Sequence, residues 1–134
     1  MNNKGQSLVL FTLLIPITIL IFAMVVDIAK MTLLRDEIDH ISYLALDYAL
    51  DSYTSSNLDI NTENIDISNK VKKLILKNQS NVEQILIKNT DNSIYLTITC
   101  KEKMSIFKNI KIFTIESNYV GYLEENEKII KRNK

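Results

Sequence analysis

From Leu8 to Val26 the chain runs nineteen residues without a charged side chain, and only Thr12, Pro16 and Thr18 depart from strongly apolar types. As a helix rising about 1.5 Å per residue, this run is roughly 28 Å long, close to the thickness of a bilayer's hydrocarbon core. A secretory signal has a shorter apolar region, about 7 to 15 residues, and ends in small residues at its cleavage site. The sequence FAMVVD at the far end of this run offers no such exit. The run therefore predicts a retained transmembrane helix over 8–26, behind a short N-terminal head of residues 1–7. Pro16 lies mid-span and removes one backbone hydrogen bond. A membrane helix tolerates this loss because a hydroxyl such as that of Thr12, four residues earlier, can be offered to the freed backbone. Lys4 stands on one side of the span and Lys30 and Arg35 on the other, so the positive-inside count is nearly even. The short head has no fold to carry across, which favours a single-pass arrangement in the cell membrane, with the N-terminus cytoplasmic and the C-terminal domain extracytoplasmic.

The helical pattern does not stop at the end of the apolar run. Residues 27–53 contain no Gly or Pro, and Met31, Leu34, Ile38, Ile41, Ala45 and Tyr48 recur at spacings of three and four, forming one stripe. Arg35, Asp36, Glu37, Asp39, Asp47 and Asp51 fill the other side. The expectation is an amphipathic helix continuing unbroken from the membrane, about 65 to 70 Å in all. Its stripe must be covered by the C-terminal half of the chain or by neighbouring copies.

Residues 54–69, rich in Ser, Thr, Asn and Asp, read as a polar connector. Residues 70–123 then read as a short helix plus a sheet of about three antiparallel strands. Ser68 is the predicted N-cap, and Lys70, Lys72, Lys73 and Lys77 form a solvated face or a patch matched to the acidic long helix. The strands are expected over 82–88, 93–101 and 109–123, the first two joined by the turn sequence NTDN. In the second strand Ile94, Leu96, Ile98 and Cys100 point one way, which makes Cys100 a core thiol. In the third, Ile110 and Ile112 alternate with Phe113 and Ile115, implying cover on both faces, and Gly121 suggests a bend or bulge. Residues 124–134 read as a charged tail, a frayed helical turn or a disordered end. The fold class is thus α+β, a long N-terminal transmembrane-to-soluble α-helix packed on a small antiparallel β-sheet.

The chemistry of the sequence points away from catalysis. Sixteen basic and sixteen acidic side chains cancel, which gives no reason to expect nucleic acid as partner, although residues 1–69 carry a net −6 and the remainder +6. No Gly-rich phosphate loop and no supported Ser/His/Asp or Cys/His arrangement is present, so neither an enzyme nor a cofactor is expected. His40, the only histidine, lacks companions for a metal site. The lone Cys100 cannot close an internal disulfide.

Lys4, Gly5, Phe11, Leu13, Pro16, Val26, Asp27, Ala29 and Lys30 stand in an order that resembles the opening of the TadE/TadG-like family of Flp (Tad) pilus-assembly proteins and, more distantly, type IV pilins and pseudopilins. The segment LLRDEIDHISYLALDYAL is similar to that family's helix beyond the membrane. The likeness covers about the first fifty residues. It implies a pilin-like plan and a bacterial, membrane-anchored component of a Tad-type pilus or related secretion apparatus that acts by assembly. It also implies membrane lipid and other pilus-assembly or pilin subunits as partners of the N-terminal helix, with prepilin peptidase acting between Gly5 and Gln6. Pro16 and Asp27 would be the packing positions of the span. Where filament pilins carry Glu five residues after the glycine, this chain has Leu10, so a processed filament subunit and a stationary membrane component both stay open. A membrane-tethered binding or accessory module unrelated to pili is the alternative.

Overall fold

A single helix of 53 residues, α1 (Asn3–Ser55), forms the spine of the computed structural model, which describes residues 3–104, 112–125 and 127–133. At 1.5 Å per residue α1 is about 80 Å long. It continues through Pro16, and between there and Ser55 no Gly or Pro interrupts it. Its end is set locally: Asn57 takes a left-handed φ of 50°, its N–H donates to the Thr54 carbonyl at 3.2 Å, and the Leu58 N–H donates to the Tyr53 carbonyl at 3.1 Å. That pair of bonds is the Schellman closure, with Asn in the place glycine usually takes.

The connector is shorter than its polarity suggests. The second helix, α2 (Ile65–Asn78), begins before Ser68, because Asn64 caps it by accepting from the backbone N–H groups of Asp66 and Ile67 at 3.0 and 3.2 Å. Asp66 in the first turn and Lys77 in the last both suit the helix dipole.

Four strands follow: β1 (Val82–Thr90), β2 (Ser93–Lys103), β3 (Ile112–Glu124) and β4 (Glu127–Arg132). They form one antiparallel sheet in the order β1-β2-β3-β4. The β1–β2 turn places Asp91 and Asn92 at φ of 51° and 58°, the two positive values that a tight hairpin requires and that Asp and Asn tolerate. The predicted start of the third strand, residues 109–111, lies outside the described residues.

Two expectations for this half are corrected. The segment read as a tail forms β4, because Lys128, Ile130 and Arg132 alternate toward α1: Ile130 packs on the core while the two cations meet carboxylates of α1. Among the described residues the sheet is covered on one face only, and Ile112 is exposed.

Gly121 is also not a bulge, since it pairs in regular register with Ile94 and Ile130. A Cβ there would lie 3.2 Å from Leu50 Cδ1 and 3.5 Å from Leu46 Cδ2, so the glycine makes room for α1 to lie close over the strand.

The core lies between the distal half of α1, α2 and the inner face of the sheet. Ile38, Leu46 and Leu50 meet Ile75 and the predicted β2 row of Ile94, Leu96, Ile98 and Cys100. The α1 stripe departs from expectation at one point: Ala49, Leu50 and Tyr53 complete it, while Tyr48 is left exposed. β3 runs in the same direction as α1, so residues near Ile28 lie level with Thr114, Ser42 with Ser117, and Leu50 with Gly121.

Candidate functional site

All fifteen large apolar side chains of α1 from Leu8 to Val26 are exposed, and they point in every direction around the helix. Among the described residues, α1 is the one helix long and apolar enough to cross a membrane. Covering such side chains contributes about 1.5–3 kcal/mol each, so this surface strongly favours an apolar surrounding over water. The two hydroxyls in the run are already satisfied within the helix. Thr12 Oγ1 donates to the Leu8 carbonyl at 2.8 Å, and Thr18 Oγ1 donates to the Leu14 carbonyl at 2.8 Å. Thr12 is therefore turned away from the backbone that Pro16 frees, contrary to the sequence expectation, because a helical Thr bonds readily to the carbonyl four residues back.

The residues singled out in the sequence are strung along this rod. Gly5 lies in the first turns with open space around it, beside exposed Gln6, and Pro16 is exposed in mid-run. Asp27 is separated from Gly5 by about 33 Å of helix, so the four do not form one site. Asp27 differs from its neighbours in burial: it is 2 % exposed, while Val26 and Ile28 are 49 % and 60 % exposed. Just beyond it, Ile28, Met31, Thr32 and Arg35 of α1 face Thr114, Ile115 and Glu116 of β3 across an open cleft of about 500 Å³.

The helix is fixed to the sheet by a polar cluster that sequence reasoning missed. Ser117 Oγ of β3 donates to Asp39 Oδ1 at 2.6 Å, and Arg132 Nη1 of β4 lies 3.2 Å from Asp39 Oδ2. Ser117 Oγ also lies 3.1 Å from Ser42 Oγ, which contacts the Ile38 carbonyl at 2.8 Å. Since the single proton of Ser117 goes to the carboxylate, Ser42 must share its own between Ser117 and the Ile38 carbonyl. Ser42 and Ser117 are both essentially inaccessible. The sequence signal was a serine inside each apolar pattern, between Ile41 and Ala45 and between Ile115 and Tyr119.

Two further contacts fasten the distal end. Lys128 Nζ reaches Asp47 at 2.5 Å and Asp51 at 3.0 Å, and these carboxylates raise its pKa above the usual lysine value. The buried Tyr53 hydroxyl accepts from Asn89 Nδ2 at 2.7 Å and from the Asn64 N–H at 3.2 Å, joining α1, the connector and β1. The acidic side of α1 is thus matched by β4 and not by α2, where Lys70, Lys73 and Lys77 form no ion pair among the described residues.

These groups hold elements together and present no reaction centre. Burial, aided by Glu37, pushes the Cys100 thiol up to about 11, which keeps it protonated and weakly nucleophilic near neutral pH. His40 is exposed on α1. Among the described residues no three His, Cys, Asp or Glu side chains are grouped to hold a metal ion. Comparison with known proteins adds nothing to this geometry: no family model matches the chain, and no significant match is found among curated proteins or solved structures.

Proposed function

We propose that the chain is a membrane-anchored, pseudopilin-like component of a bacterial Tad/Flp-type pilus or related secretion apparatus, acting by assembly. The observation that carries this reading is the change of surroundings along one unbroken helix: α1 exposes apolar side chains on all sides up to Val26 and is rooted in an antiparallel sheet beyond Asp27. In this reading the N-terminus is cytoplasmic, residues 8–26 span the membrane and the sheet lies outside. The span packs beside other spans near Pro16, and Asp27 marks the level at which α1 leaves the lipid. The resemblance over the first fifty residues supports the pilus assignment.

Fractionation and crosslinking test it. The full chain should pellet with membranes and be released by detergent. An Ile17→Cys variant, oxidised in native membranes, should form disulfide adducts with other single-span subunits of the apparatus. Recovery in the soluble fraction, or a span that never crosslinks to another protein, would sink the reading. Intact mass then distinguishes its two forms: loss of residues 1–5 identifies a filament subunit, and retention identifies a stationary component.

A further inference from the structure

A groove of about 450 Å³ runs between α1 and α2, walled by Tyr48, Leu74, Lys70, Lys73 and Lys77. Spacings of three and four put the three lysines on one face of α2, and Tyr48 and Leu74 supply a partly exposed apolar floor. No carboxylate of the described chain pairs with these ammonium groups. The acidic side chains of α1 nearest in sequence, Asp47 and Asp51, are turned to Lys128.

A bilayer surface is a poor match for this cationic face. Tyr48 follows Val26 by 22 residues, which puts the groove about 33 Å along α1 from the end of the apolar run. Attraction to anionic headgroups fades over a Debye length of about 8 Å at physiological salt. The occupant must therefore be an anionic group held well away from the lipid.

The chain carries such a group. At the corner between β3 and β4, Glu124 and Glu127 stand directly opposite each other in the ladder, with Glu125 in the turn between. Like charges directly opposite disfavour the pair. None of the three is in an ion pair among the described residues. This corner leads into Lys128, which binds Asp47 and Asp51, so corner and groove flank the same turn of α1. Copies standing side by side with their helices parallel therefore present both features at one height.

We propose that the α1–α2 groove is a socket for the β3–β4 corner of a second copy of this chain. The contact joins two different surfaces, so each bound copy leaves a free corner at one end and a free groove at the other, and assembly can continue. The proposal takes only the shared upright orientation from the membrane-anchored reading.

The test uses two tagged full-length chains co-expressed in membranes, one carrying Lys73→Cys and the other Glu125→Cys. Oxidation should link the unlike pair well above either like pair. Lys73→Glu with Lys77→Glu should weaken association about tenfold, as should Glu125→Lys with Glu127→Lys, and mixing the two reversed chains should restore it. Like-pair crosslinks equal to the unlike pair, or reversed chains that do not rescue each other, would overturn the socket. A chain that pellets with membranes but fails to crosslink refutes this contact and leaves the anchor intact. Crosslinking by a chain that does not pellet supports the contact and refutes the anchor.

Discussion

The two halves of α1 have the same backbone geometry and opposite surroundings. Before Asp27 the side chains are apolar on every side, the two threonine hydroxyls bond back to their own helix, and no sheet residue touches the rod among the described contacts. Beyond it, one stripe is buried and three of the carboxylates, Asp39, Asp47 and Asp51, are matched to cations brought from β4, roughly eighty to ninety residues away in sequence. The difference teaches that an uninterrupted backbone is enough to make a helix, whereas its use is decided by what is laid against it. The first half has no preferred direction around its axis. The second has an address for each face.

Substitutions should separate the halves cleanly. Leu50→Ala, in the fully buried row above Gly121, should cost about 2–5 kcal/mol of domain stability, read by denaturant unfolding of the full chain in detergent. Leu14→Ala should leave that transition nearly unmoved. Leu14→Arg should instead penalise membrane insertion by about 2.5–3.5 kcal/mol, seen as a larger soluble fraction with the domain transition unchanged. Equal losses of domain stability from Leu50→Ala and Leu14→Ala would break the comparison.

Alkaline pH probes the rooted half alone. The Cys100 thiol ionises near its ordinary value of 9.0 when unfolded and near 11 when folded, so its contribution is intact below pH 9 and is lost as pH rises toward 11. The expected loss is about 2–3 kcal/mol, and Cys100→Ala should remove this part of the pH dependence. Ser117→Ala deprives Asp39 of its shortest hydrogen bond and should cost about 1–3 kcal/mol at neutral pH. Lys128→Ala should cost under about 1 kcal/mol, because that pair is exposed, and added salt should shrink the effect further.

What the sequence made legible follows the same division. The apolar run is legible from its length and composition, and the long helix, the β1–β2 hairpin and the inward row of β2 carry signals that extend over enough residues to be read directly. β4 was not legible, since Lys128, Ile130 and Arg132 look like solvated residues until Asp39, Asp47 and Asp51 are set opposite them. The Asp39–Ser42–Ser117–Arg132 cluster is hidden for the same reason, its members coming from three separate elements. Tyr48 was misplaced because spacings of three and four fit either Tyr48 or Ala49 after Ala45, and only the packing of the sheet and α2 chooses between them. The groove lysines were visible as a charged face, but their lack of ion-pair partners among the described residues was not.

The absence of glycine and proline from α1 between Ile17 and Ser55 has a mechanical consequence. A rod without a hinge carries axial load directly into the domain, and β3 lies alongside it in the same direction. Tension applied to the apolar half therefore reaches the sheet as shear along β3 and is resisted together by the Asp39–Ser117 bond, the Arg132 and Lys128 pairs and the packing of Leu46 and Leu50 over Gly121. Contacts loaded side by side share the force and fail together, so this joint is built to be pulled.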